Sequence, residues 1–299
     1  MPFVAILVSV VLWGLAPVAT RYLVLTADPL GVLGIRFALC SLCYLPALPW
    51  LKLATVRWSR RTLALLAGCG IVGVVGYNVP MTLGIRDVHA GFAGILLSTE
   101  PLWIALLSVV VLGQRLTAPL ACGLAVAFAG VVTLSVGNGL TVSTSMLGGA
   151  ALVLVGAFMW GAYSVAMGPL VRRHGALRVS AVTMWIGTVP LVAICATGML
   201  STSLTSTGWL VLALYALGPN LVGMLAWNYG LSRVPGTQAG LLLNLYPVVS
   251  IAGGALFLDE PLTAITVTGG AIVLLGLLLS QDNVVSRALF PRRPAPGTV

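Results

Sequence analysis

Residues 96 to 107 read LLSTEPLWIALL, and in this run a carboxylic acid, Glu100, stands beside Pro101 among apolar side chains. A carboxylate so placed can carry a proton, pair with a cation or accept a ligand's ammonium group, and all three roles require it to face protein or water. Pro101 removes one backbone N–H and leaves the carbonyl one turn earlier without its donor. The device recurs at Pro247, where Tyr246 takes the place of Glu100 and Asn244 that of Ser98. Broken turns of this kind offer polar backbone to a ligand, so Pro101 and Pro247 are the candidate helix breaks for gating. Arg36 has a stem long enough to reach beyond its own turn. An Arg36–Glu100 ion pair therefore stays open beside the proton-carrier and ammonium-acceptor roles.

The candidate substrate-binding set adds Trp13, Tyr77, Asn78, Trp103, Trp160, Tyr163, Asn244 and Tyr246 to Glu100, all well inside apolar stretches. Trp103 lies three residues after Glu100 and shares its helical face, as Trp160 does with Tyr163 and Ser164. Aromatic faces attract ammonium groups, and the amides of Asn78 and Asn244 can meet either a carboxylate or an ammonium. Plain core packing is the competing reading of each aromatic. Interfacial anchoring suits Trp50, Trp58 and Trp209 but not Trp13 or Trp160.

The elements that hold these residues follow from composition. The chain has 299 residues, 59% of them hydrophobic and 7% charged, with a mean hydropathy of +1.09, which predicts an integral membrane protein. At about 20 apolar residues per crossing, ten segments emerge: 3 to 25, 30 to 50, 62 to 86, 89 to 112, 118 to 136, 147 to 170, 178 to 199, 206 to 231, 236 to 257 and 263 to 281. Connections are short, and backbone in lipid must satisfy itself, so the expected fold is an all-α bundle of ten transmembrane helices. Glu100 then lies roughly 16 Å along its helix from His89, near mid-membrane, where a charge costs at least about 2.5 kcal/mol. The first segment lacks a basic leader and runs on beyond signal-peptide length, which makes it a span. All of the fifteen basic residues except Arg21, Arg36 and Arg86 fall on one side of this arrangement. That bias predicts both termini in the cytoplasm.

Other chemistries find little support. The net charge of +9 is explained by topology, and no basic run is interleaved with exposed aromatics, so nucleic acid is not an expected partner. Cys40, Cys43, Cys69, Cys122 and Cys195 all fall in spans and read as small buried hydrophobes. The string GCGIVG at 68 to 73 matches a dinucleotide fingerprint, but it follows no strand and lies within a span, so with Gly76 it reads as a packing face. His89 and His174 sit at loop edges, and no catalytic or metal-binding constellation appears; no cofactor, metal or enzymatic activity is expected.

Residues 85 to 117 align without gaps on 231 to 263, an offset of 146 that superposes Pro101 on Pro247 and Leu112 on Leu258. Gly123 and Gly130 recur as Gly269 and Gly276, and WGLAPVA at 13 recurs as WGAYSVA at 160. Five spans per copy is an odd number, so the second copy is inverted, a common plan of secondary transporters that work by alternating access. The expected organisation is a first five-helix repeat over 1–137, a second over 147–281 and a cytoplasmic tail over 282–299. Duplication for bundle stability alone is the competing explanation.

The duplication, together with GIRF in the second span, AGILLSTEPLW in the fourth, AGLLLNLYPV in the ninth and the closing LDEPLT, resembles the EamA family of the drug/metabolite transporter superfamily. The resemblance covers nearly the whole chain. It implies a multi-pass carrier of the bacterial inner membrane, exporting amino acids, of aromatic, hydrophobic or threonine-like type, or related small metabolites. Family members often carry a Gly-Glu pair where this chain has Gly113 and Gln114, while the second copy keeps an acid at Glu260. A carrier of drugs or quaternary amines would share the fold, and a lipid-modifying enzyme is a more distant alternative that would need a polar catalytic cluster. The expected partners are a small-molecule substrate and the lipid bilayer.

Overall fold

Apolar segments that must satisfy their own backbone become helices, and among the described residues the chain is helical with no strand. The structure is a computed structural model that describes residues 2–51, 58–113, 117–136, 144–231, 242–243 and 245–280. The candidate Asn244, the start of the segment 236 to 257, Gln114 and the tail 282–299 lie outside the described residues.

The helices run in order as α1 Pro2–Gly14, α2 Ala16–Thr26, α3 Pro29–Cys43, α4 Leu48–Leu51, α5 Arg60–Gly70, α6 Tyr77–Ile85, α7 Ala90–Leu97, α8 Glu100–Leu112 and α9 Ala118–Val136. They continue as α10 Thr144–His174, α11 Ala176–Ser201, α12 Ser206–Leu217, α13 Met224–Leu231, α14 Tyr246–Leu258 and α15 Ala264–Ser280. Five stretches are long and apolar enough to cross a membrane: Pro2–Thr26, Arg60–Ile85, Ala90–Leu112, Thr144–Val171 and Leu177–Ser201. Pro29–Cys43, Ala118–Thr133, Tyr246–Leu258 and Ala264–Ser280 are shorter apolar helices. Large apolar side chains face outward, Leu200 at 90% and Leu256 at 76% exposure among them, as a lipid-facing surface requires. The protein is a multi-pass membrane protein. All five cysteines are free thiols, three of them buried, in keeping with their reading as packing residues.

Sequence sets where these helices begin. Asp28 caps α3 by accepting from the Gly31 N–H at 2.6 Å with Pro29 behind it, and Ser59 and Thr205 cap α5 and α12 in the same way at 3.1 Å. Two long helices are interrupted inside rather than at their ends. A single π-helical stretch, Ile71–Gly76, joins α5 to α6, and another, Gly218–Gly223, joins α12 to α13. The Tyr77 N–H donates to the Val72 carbonyl, five residues back, so α6 is rotated relative to α5 by the extra residue. Such a bulge leaves no trace in hydropathy, and the segment 62 to 86 gave no sign of it.

Small residues let helices from the two ends of the chain approach closely. α9 lies along α15, with Gly123 against Gly276 and Gly130 against Gly269. α3 lies along α11, and α7 along α14. A methyl at Gly130 would stand 2.7 Å from the Val273 backbone nitrogen, whereas one at Gly68 would meet open space. Gly130→Ala should therefore lower stability by about 1–3 kcal/mol, read as a lower melting temperature in detergent, while Gly68→Ala leaves it unchanged or raises it. Equal effects would mean that the α9–α15 crossing is not this tight.

Candidate functional site

Glu100 owes its place to a break between two half-helices. α7 ends at Leu97, the Ser98 and Thr99 hydroxyls turn back onto the Ile95 and Leu96 carbonyls at 2.6 Å each, and α8 restarts at Glu100. Pro101 in the first turn has no N–H to continue the ladder. The acid thus opens a helix, where the unpaired amides favour negative charge. α14 restarts in the same manner at Tyr246, with Pro247 next in its first turn. Glu100 and Tyr246 are close enough to interact electrostatically, and the Tyr77 phenol reaches the Glu100 carboxyl as a hydrogen-bond donor. Tyr77 is carried there by the π-helical turn just before it.

Arg36 departs from expectation. It is 3% exposed, yet among the described residues no ion pair joins it to Glu100. Its Nη2 donates to Asn78 Oδ1 at 2.6 Å, and its guanidinium stacks 4.4 Å from the Tyr215 ring centroid and 4.7 Å from that of Phe37. Asn78 is in turn held by its Nδ2, which donates to the Gly73 and Val74 carbonyls of the π-helical turn at 3.3 and 3.0 Å. The side chain whose ion pair with Glu100 was one of three open roles is engaged by an amide and two rings instead, and its Nε finds no partner.

The aromatic candidates divide. Tyr77 packs on Trp160 at 5.1 Å between centroids, and Trp160 on Tyr163 at 5.1 Å, a row that passes from α6 onto α10. Trp103 meets Phe158 edge-on at 5.5 Å, its Cβ side lies against Gly161, and its indole N–H is buried without a partner. Tyr77, Trp103 and Tyr246 border the same apolar core. Trp13 sits apart from this row: its indole donates to the Pro219 carbonyl at 2.9 Å in the second π-helical turn, and its ring packs on Trp227 at 5.3 Å. One residue that sequence reasoning missed belongs to the site. Tyr215 lies under Arg36 and shares a 3.0 Å hydrogen bond with Thr20. The only sequence signal for it was an aromatic deep in the segment 206 to 231.

A second charged cluster ties the ends of distant helices together. Glu260, in the turn between α14 and α15, accepts from the Ala90 N–H at 2.7 Å and the Gly91 N–H at 3.2 Å, and so caps α7 from across the fold. His89 Nδ1 lies 3.5 Å and Arg21 Nε 3.9 Å from its Oε1. Arg21 also donates to the carbonyls of Ile85, at 2.7 Å, and Arg86. Ser250 on α14 adds a 2.8 Å bond to the Ala90 carbonyl. Burial pushes the Glu260 carboxyl up, but His89 and the two amides outweigh it and hold the group below the usual carboxylate range. A cavity of about 260 Å³ opens beside this junction, bounded by His89, Phe92, Met146, Ile251, Glu260 and Thr263, away from Glu100.

Known proteins give this geometry a context. A family model described as the EamA-like transporter family matches residues 1–136 and 147–281. An "Uncharacterized transporter" of Archaeoglobus fulgidus is 29% identical over 93% of this chain and 97% of its own length. A "Probable terminal-alkyne amino-acid exporter" of Streptantibioticus cattleyicolor is 29% identical over 95% of this chain and 94% of its own. A "Probable amino-acid metabolite efflux pump" of Escherichia coli is 24% identical over 92% of each. A solved crystal structure superposes with a TM-score of 0.67 over 97% of this chain and 98% of its own, at 19% identity, and shares the fold.

The Glu260 cluster makes stability depend on pH with a definite sign. A carboxyl whose folded pKa is depressed stabilises the fold above the unfolded value of about 4.3, and that contribution is lost as pH falls through the lower folded value. The melting temperature of the wild type in detergent should fall more steeply below about pH 4.3 than that of Glu260→Gln, which lacks the contribution throughout. Parallel curves would mean that Glu260 is not held ionised by this cluster.

Proposed function

Because the chain belongs to the EamA-like transporter family, it is a transporter rather than an enzyme, and we propose that it is a ten-span secondary carrier of the bacterial inner membrane that exports amino acids or related small metabolites by alternating access. The observation that carries this reading is a pair of restarted helices, one in each half of the chain, whose first residues, Glu100 and Tyr246, are close enough to interact electrostatically. Helix breaks at the interface of two repeats are where carriers hold their solutes.

Two inverted five-helix copies, 1–137 and 147–281, make sense of recurrences that otherwise look accidental. The two π-helical stretches start at Ile71 and Gly218, and the left-handed residues that end α8 and α14 are Gly113 and Asp259. Contacts are exchanged between the copies as in a two-fold dimer: Gly14 packs on Val249 and Gly161 on Trp103, each pair being the other's counterpart. The Gly123–Gly276 and Gly130–Gly269 contacts are related in the same way. The basic-residue bias supports cytoplasmic termini, including the tail 282–299.

In this mechanism the acid meets the ammonium of the solute while Tyr77, Trp160 and Trp103 supply ring faces, and Pro101 and Pro247 mark where the helices yield as access alternates. The pairing of acid and rings would also suit a quaternary amine, the reading in which the chain is a multidrug carrier. A purely structural role for Glu100 as a counter-ion has no partner to support it among the described residues.

The test is uptake of radiolabelled amino acids into proteoliposomes, comparing wild type with Glu100→Gln, with a pH gradient and with preloaded solute. Saturable, competable wild-type uptake is expected, reduced roughly tenfold or more in the variant, as for loss of one charge-assisted contact, with folding intact by size-exclusion elution. Wild-type flux in a folded Glu100→Gln protein would refute the role given to the acid, and non-saturating flux without exchange would refute a carrier altogether.

A further inference from the structure

Arg36 is a cation buried to 3% exposure with no counter-charge among the described residues. The chain has six acids, five of them among the described residues. Asp28 caps the start of α3. Asp87 and Asp259 are exposed, and Glu260 is engaged by Arg21, His89 and two backbone amides. Glu100 turns to Tyr77, and Asp282 lies outside the described residues. Two ring faces and one amide oxygen soften the cost of this cation, yet Nε still points at nothing. Glu100 presents the opposite case, an acid with no cation among the described residues. The two meet at adjacent residues of α6: Asn78 accepts from Arg36, and Tyr77 beside it donates to Glu100, while Tyr215 lies under the Arg36 guanidinium.

An unmatched cation and an unmatched acid, held by neighbouring residues of one helix, are complementary to a solute that carries both charges. We infer that Arg36 holds the carboxylate of the transported solute while Glu100 takes its ammonium, so that the carrier selects zwitterions with a free α-carboxylate and rejects cations that lack one. A planar guanidinium already fixed by Asn78 is suited to a carboxylate. Asn78 is then a positioning residue, since it holds Arg36 and is itself held by the π-helical turn. The inference rests on the carrier reading above, but it makes a narrower claim. A quaternary-amine carrier would satisfy Glu100 and leave Arg36 unexplained.

The test is binding to purified full-length protein in detergent, read as a ligand-induced rise in melting temperature. The proteinogenic amino acids are screened first, and the best is compared with its amide, its N-acetyl form and its decarboxylated amine, with tetraphenylphosphonium as a permanent cation. The amide and the amine should bind roughly tenfold to a hundredfold more weakly than the acid, the cost of an unmatched buried charge, and so should the N-acetyl form. In Arg36→Gln the acid and the amide should bind alike, whereas Glu100→Gln should keep the preference for a free carboxylate. If Arg36→Gln does not fold, Arg36→Lys and the wild-type analogue series still decide. Equal binding of acid and amide by wild type overturns the inference and leaves the carrier reading standing. Binding of tetraphenylphosphonium but of no amino acid overturns it in favour of a cation carrier. No binding at all, together with no uptake into proteoliposomes, removes both.

Discussion

An acid that lipid will not tolerate, and that no described cation neutralises, is the constraint around which the centre of this protein is arranged. Ionised carboxylates in a bilayer must face protein or water, and here the chain provides for Glu100 by starting a helix on it and by bringing a phenol to it. The π-helical turn that aims Tyr77 also supplies the carbonyls that hold Asn78, and Asn78 holds Arg36. One irregularity in one helix therefore positions a donor to the acid and fixes the buried cation.

The Glu260 cluster does the opposite work at the helix ends. There every charge is matched: Glu260 has amides, an imidazole and a guanidinium, and Arg21 has carbonyls besides. Matched charges close this junction, whereas Arg36 and Glu100 have no counter-charge among the described residues. Because Glu260 caps α7, the helix that runs directly into the break before Glu100, the tie and the site share one rigid element.

Much of this was legible in the sequence, for reasons that differ from residue to residue. Helix positions followed from apolar length, and the break at Glu100 followed from Pro101, because proline cannot continue a hydrogen-bond ladder. The similarity to the EamA family, read from STEPLW, LYPV and LDEPLT, is borne out by the family match. The partner of Arg36 was not legible. Reach along a helix suggested Glu100, but which of two neighbours a guanidinium faces depends on a rotation that one extra residue in a π-helical turn introduces, and hydropathy is blind to it. Tyr215 and the Glu260–Ala90 cap were hidden because both depend on contacts between residues far apart in sequence.

The central claim is that Glu100 lines the path of the solute. Its most direct test is thiol accessibility: Glu100→Cys is placed in a functional background with the five native cysteines replaced, and the rate of modification by a small water-soluble thiol reagent is measured with and without transported solute. The account predicts modification that the solute suppresses. A cysteine at that position that reacts equally fast in saturating solute, or that never reacts while His89→Cys does, would contradict it.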